Sequence, residues 1–98
     1  MPPSAIFFKA LANPIRIQII DALRAGEHTV NQLCEILNIE DPNASQQLAV
    51  LRANNLVNTR KEGSSIYYSI KDPTIFKLLD VAKFIFNNHL AGIKDLLK

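Results

Sequence analysis

Apolar residues recur at helical spacing through most of this chain and crowd at strand-like density in one short stretch. Ile15, Ile19, Ala22 and Leu23 share one face and predict a helix over Pro14–Arg24, stopped by Ala25-Gly26. Val30, Leu33 and Leu37 predict a short helix over 30–37, and Asn38–Asp41 reads as a tight link. Ala44, Leu48 and Leu51 form the inward stripe of a helix over Pro42–Asn54. Two β-rich runs, Leu56–Arg60 and Ile66–Ile70, flank Glu62-Gly63-Ser64-Ser65, a hairpin signal. A short helix over Ser4–Ala12 comes first, and a long one over Pro73–Leu97 comes last.

The helix starts carry their own chemistry. Asn13-Pro14, Asp41-Pro42 and Asp72-Pro73 each offer a side-chain acceptor at the N-cap. A proline follows at the first helical position, where its missing N–H costs nothing. Thr29 and Gln32 have capping-box spacing. The expected fold is therefore mainly α with a two-stranded β-wing, in the order α-α-α-α-β-β-α. Two short helices joined by a tight turn and followed by a hairpin make a winged helix-turn-helix, a single domain over residues 1–98.

The outward face of the Pro42–Asn54 helix is unusual for a solvated surface. Pro42, Ser45, Gln46, Ala49 and Ala53 lie opposite the apolar stripe. Asn43 and Val50 flank them, and Gln47 and Arg52 stand at the stripe's edges. A helix facing only water favours Lys and Glu, and these outward positions carry neither. Small and amide-bearing side chains instead suit a major groove. Asn and Gln can pair with adenine, Ser can donate or accept, and an alanine methyl can meet a thymine methyl. Between Pro42 and Lys71 the cations Arg52, Arg60, Lys61 and Lys71 stand against Glu62 alone. Arg60 and Lys61 fall on the wing, where phosphates would pass, and Ser64 and Ser65 at its tip can bond phosphate or enter a minor groove. The candidate DNA-binding set is Pro42, Asn43, Ser45, Gln46, Gln47, Ala49, Arg52, Arg60, Lys61, Ser64 and Ser65, and the expected partner is double-stranded DNA.

Composition sets limits. The 98 residues are 48% hydrophobic with a formal charge of +2, which permits an anionic partner without requiring one. No apolar run reaches the roughly 18 residues needed to span a bilayer. The opening MPPSAIFFKALANP lacks a basic leader and a cleavage site, and one cysteine cannot form an internal disulfide, so a reducing cytoplasm is expected. No Ser/His/Asp set, glycine-rich phosphate loop or paired-carboxylate setting is present, so no enzyme and no cofactor are expected. The last helix carries more apolar surface than one small chain can bury: Ile75, Leu78, Leu79 and Ala82 lie on one side, with Phe76, Phe84, Phe86 and Leu90 spread around it. That excess predicts a second copy as partner.

The blocks ALANPIRIQIIDAL, SQQLAVLRANNLV and TRKEGSSIYYSIKDP resemble, in order, those of the ArsR/SmtB family of transcriptional repressors. The likeness runs from about Ile6 to Phe86. It implies a homodimeric winged helix that binds a palindromic, inverted-repeat operator and releases it when an effector binds. It also implies a dimer interface on the first and last helices, here Ile6, Phe7, Leu79, Phe84, Ile85 and Phe86.

The usual sensory residues of that family are missing. Where arsenic and lead sensors carry Cys-x-Cys, this chain has Thr29 and Asn31. At the zinc and nickel positions of the last helix Asp72 fits, but the others are Thr74, Ile85 and Asn88, with His89 one residue out of place. The persulfide-sensing cysteine pair is replaced by Asp21 and Asn87. No metal site is expected and the effector is unassigned. Cys34, flanked by Val30, Leu33 and Leu37, reads as a small buried hydrophobe. Two other readings stay open: a winged-helix protein-interaction module that does not bind DNA, and a metal- or redox-responsive regulator using Cys34, in a dimer with His28.

Overall fold

The computed structural model describes residues 3–96, with side-chain surroundings for 3–88. Its elements are α1 (Pro3–Leu11), α2 (Pro14–Ala22), a 3₁₀ turn (Leu23–Ala25), α3 (Val30–Leu37), α4 (Asp41–Ala53), β1 (Val57–Glu62), β2 (Ser65–Ile70) and α5 (Thr74–Leu96). The expected order stands. The helix expected to reach Arg24 gives way to 3₁₀ geometry after Ala22, and both strands are longer than expected at the turn. Of the expected span of the last helix, Leu97 lies outside the described residues.

Two helix starts follow their sequence signals. Asn13 Oδ1 accepts from the N–H groups of Ile15 and Arg16 at 2.9 and 3.1 Å. Thr29 and Gln32 close a reciprocal capping box. The other two are corrections of one residue. Glu40, not Asp41, occupies the N-cap of α4, and its side chain makes no capping bond. Asp41 is instead the first helical residue, where its charge complements the helix N-terminus, and its carboxylate accepts from Ser45 Oγ at 2.9 Å. Asp72 Oδ1 accepts from the Thr74 N–H, so Pro73 lies just before α5 rather than within it.

The α3–α4 turn closes through Asn38, whose φ of 53° lets the chain reverse. The Asn38 and Ile39 N–H groups both return to the Cys34 carbonyl. The hairpin pairs Glu62 with Ser65 across a two-residue turn, and Gly63 supplies the positive φ of 61° that such turns need. A contact not expected from the sequence joins them: His28 and Tyr68 exchange backbone hydrogen bonds of 3.0 and 2.8 Å, adding a third, single-residue edge to the wing.

The core is continuous. Ile19 and Ile20 of α2, Leu33 of α3 and Leu48 and Leu51 of α4 are fully buried, with Leu56, Val57, Ile75 and Leu79 closing it from the wing and α5. Arg24 fastens α5 to the end of α2. It donates to Asp21 and Asp80 and lies 4.9 Å over the Phe76 ring, while Lys83 reaches Asp21 at 3.0 Å.

Candidate nucleic-acid interface

Helix α4 places its residues as the periodicity requires. Ala44, Leu48 and Leu51 are buried, while Pro42, Asn43, Ser45, Gln46, Ala49, Arg52 and Ala53 are exposed. A surface groove lined by Ser45, Ala49, Arg52, Ala53 and Tyr68 separates this face from the wing. Lys61, Ser64 and Ser65 are exposed along the wing edge and tip. Arg52, Lys61 and Lys71 pair with no carboxylate among the described residues, so their charges are open to an anion.

Within α4, Ser45 gives its hydroxyl to Asp41 and Asn43 accepts from Gln47, and two further expected contact residues are engaged with other elements of their own chain. Arg60 was expected to face phosphate as a free cation. Its Nη2 and Nε donate to Glu27 at 2.5 and 3.1 Å, its Nη1 donates to Glu62 at 2.8 Å, and its Cζ lies 4.8 Å over the ring of Tyr67, its cross-strand partner. Glu27 stands far away in sequence, so the net positive charge counted over Pro42–Lys71 overstates the field at the wing. The carboxylates hold the guanidinium pKa above its usual value, and Arg60 in turn holds Glu27 below the ordinary glutamate value. Gln47 is the second. It is half-buried, with Oε1 accepting from Arg16 Nη1 at 2.8 Å and Nε2 donating to Asn43 Oδ1 at 3.2 Å. It faces its own chain more than a ligand.

The apolar surface of the outer helices sorts differently from expectation at two positions. Leu79 is 7% exposed and belongs to the core of its own chain, because it falls on the inward stripe with Ile75. Phe7 also packs against that core, edge-on to Phe8. Ile6, Phe84, Ile85 and Phe86 are exposed, with Phe84 at 67%. Phe8 and Val81, not singled out in the sequence, are exposed beside them.

At the positions weighed as metal sites in the sequence, the side chains have other surroundings. Thr29 caps α3, Thr74 gives its N–H to Asp72, and Ile85 and Asn88 lie exposed on α5. Among the described residues no three His, Cys, Asp or Glu side chains come together. The side chains of His89 and Leu90 lie outside the described residues. Cys34 is half-buried, and burial, aided by the nearby negative charge of Asp41, pushes its thiol pKa up. That lowers the thiolate fraction on which sensing chemistry depends. Among the described residues no helix is long and apolar enough to cross a membrane.

Sequence reasoning missed Arg16, Glu27 and the His28–Tyr68 bridge. Each acts through a partner more than thirty positions away, and no local spacing carries that information.

Comparison with known proteins agrees with this geometry. Residues 13–59 match the profile described as bacterial regulatory protein, arsR family. The chain is 38% identical over 82 residues to the biofilm growth-associated repressor of Agrobacterium fabrum, covering 84% of this chain and 70% of that protein. The crystal structure of Rv0081 from Mycobacterium tuberculosis superposes with a TM-score of 0.83 at 39% identity, covering 91% of this chain and 90% of that one. The solution structure of the homodimeric winged helix-turn-helix DNA-binding domain of Mb0332 from Mycobacterium bovis gives 0.79 at 33% identity, covering 90% of this chain and 82% of that one.

Proposed function

This chain belongs to the arsR family of bacterial regulatory proteins, and on that premise we propose that it is a homodimeric, operator-binding transcriptional repressor acting in the cytoplasm, with residues 1–98 as one DNA-binding and dimerisation domain. The observation that carries this reading is the outward face of α4. It is exposed, free of long charged side chains, and presents Asn43, Ser45, Gln46 and Ala49 together. Such a face can approach base edges closely, and its residues offer hydrogen-bonding groups and a methyl suited to them.

Around it, Arg52, Lys61, Ser64 and Ser65 contact the phosphate backbone and set the register of the protein on the duplex. Arg60 shapes the wing that carries Lys61. Val81, Phe84, Ile85 and Phe86 of α5, with Ile6 and Phe8 of α1, cover one another across a two-fold axis. That many large exposed side chains on two neighbouring elements mark an interface rather than scattered surface. A two-fold dimer presents two copies of α4, so the operator is an inverted repeat with half-sites about one helical turn apart, or a small multiple of it. The reading needs no metal and no cofactor.

Selection of bound sequences from a random duplex pool tests it. An inverted repeat is the expected product, and enrichment of no sequence at all would overturn the reading.

A further inference from the structure

We infer that Arg16, on the far side of α4 from the reading surface, sets the hydrogen-bonding polarity of Asn43 and thereby fixes which base edge each protomer prefers at that position. The inference rests on the reading of α4 as the base-reading helix.

A chain of bonds leads from α1 to the reading surface. Arg16 Nε donates to the Ala10 carbonyl at 2.6 Å, and Nη2 reaches the Lys9 carbonyl at 3.4 Å. These carbonyls belong to the last turn of α1, where helical N–H donors run out, although the Lys9 carbonyl also accepts from the Ala12 N–H at 3.1 Å. The same guanidinium gives its Nη1 to Gln47 Oε1 at 2.8 Å. Gln47 Nε2 then gives to Asn43 Oδ1, four residues back and one turn away on α4, at 3.2 Å.

Donor and acceptor chemistry makes the chain directional. A guanidinium can only donate, so Gln47 must turn its oxygen toward Arg16. Its nitrogen then faces Asn43, and a nitrogen that can only donate requires the Asn43 oxygen. The Asn43 Nδ2 is left without a partner among the described residues. Asn43 is thus presented as a donor. The paired donor and acceptor by which asparagine reads adenine is weakened, because one of the two lone pairs of its oxygen is already taken by Gln47. Two free N–H bonds instead match guanine, whose N7 and O6 are both acceptors in the major groove. Arg16 is a positioning residue: it touches no base, yet its lack of an acceptor determines the polarity two side chains away.

The substitution Gln47→Glu separates this from a merely structural role. A carboxylate still accepts from Arg16 but cannot donate to Asn43, so the Asn43 amide must rotate to give its N–H to Glu and turn its oxygen outward. An outward oxygen suits cytosine N4 or adenine N6. The added charge weakens binding to all duplexes alike, so the readout is relative preference.

Two measurements decide it. In the free protein, ¹⁵N-resolved side-chain amide signals of Gln47 and Asn43 should both move in Arg16→Met, which removes every donor that holds the Gln47 oxygen. In Gln47→Glu the Asn43 amide protons should take on the shift of a hydrogen-bonded group. In pool selection, Asn43→Ala identifies the dependent position by erasing its preference, about tenfold for guanine. Gln47→Glu should invert that preference toward cytosine or adenine on the same strand. Amide signals of Asn43 that ignore Arg16→Met would overturn the inference, as would Gln47→Glu retaining guanine at that position. If the amide signals respond as expected but the unaltered protein enriches no sequence, base reading itself fails and this role fails with it.

Discussion

Arg60 and Glu27, 33 residues apart, share two hydrogen bonds, and these join the outer wing strand to the loop that precedes the helix-turn-helix. Next to them, His28 and Tyr68 join the same loop to the inner strand through their backbones. The wing is therefore held at both strands by two consecutive residues, Glu27 and His28. The most basic-looking residue of the wing is engaged with carboxylates before any nucleic acid arrives.

Glu27→Gln should therefore strengthen DNA binding rather than weaken it. The substitution removes one negative charge from the wing and loosens the hold on Arg60. Affinity for any duplex should rise a few-fold at low salt. The dependence of log affinity on log salt should steepen by about one unit for each cation newly placed on phosphate. Titration at two salt concentrations reads both. An unchanged slope would mean that Arg60 stays on Glu62 and Tyr67 and never reaches the backbone.

The same pair responds to acid with a fixed sign. Arg60 lowers the Glu27 pKa below its ordinary value of 4.5. A carboxyl depressed on folding contributes stability fully above its unfolded pKa and loses it as pH falls through the folded one. The wing contact should thus persist at pH 4.5 and release only below it. The carboxyl ¹³C signal of Glu27 and the ring signals of Tyr67 should titrate together, with a midpoint under 4.5. A midpoint at or above that value would show the pair to be open in solution.

The element order and the split of α4 into buried and outward faces were legible because both depend on local spacing, and Ala44, Leu48 and Leu51 obey it without exception. Capping was legible at Asn13 and Thr29 for the same reason. It slipped by one residue at Asp41 and Asp72 because proline is tolerated at more than one place in a first turn. The bonds that engage Arg60 and Gln47 were not legible, on other grounds. A cation on a wing and an amide at a helix edge look free until Glu27 and Arg16 are brought to them by the tertiary fold. Leu79 was assigned to a partner because an apolar helix with more than one stripe does not declare which stripe its own chain takes.

Stability should separate by depth. Leu48 is fully buried between α2 and the wing side of the core, so Leu48→Ala should cost about 2–5 kcal/mol through reduced burial and the cavity left behind. Asn13→Ala removes a cap that serves two N–H groups and should cost about 1 kcal/mol. Urea unfolding measures both. A larger loss for Asn13→Ala than for Leu48→Ala would reverse the assigned roles.

The dimer should come apart without unfolding when its outer stripe is charged. Phe84 is 67% exposed and Ile85 63%, so neither supports its own chain's core. Phe84→Asp should give a folded monomer by sedimentation with an unchanged helical circular dichroism spectrum. Leu79→Asp, by contrast, should unfold the chain. If Phe84→Asp remains dimeric at micromolar concentration, the partner lies on another face.

Base reading and phosphate holding should separate in two single mutants. Gln46 is exposed on the outward face of α4 and its side chain makes no hydrogen bond to any described residue, so both ends of its amide are free for a base edge. Lys61 is exposed on the wing and unpaired among the described residues, so its charge is free for phosphate. Gln46→Ala should cost about 1–3 kcal/mol per half-site on the selected operator and little on random DNA. Lys61→Ala should weaken both duplexes about equally and lower the salt slope by about one unit for each phosphate that is no longer neutralised. Titrating operator and random duplexes at two salt concentrations gives all of these values. Equal weakening on both duplexes for Gln46→Ala would mean that α4 lies against the backbone, because a side chain that touches only phosphate cannot distinguish one sequence from another.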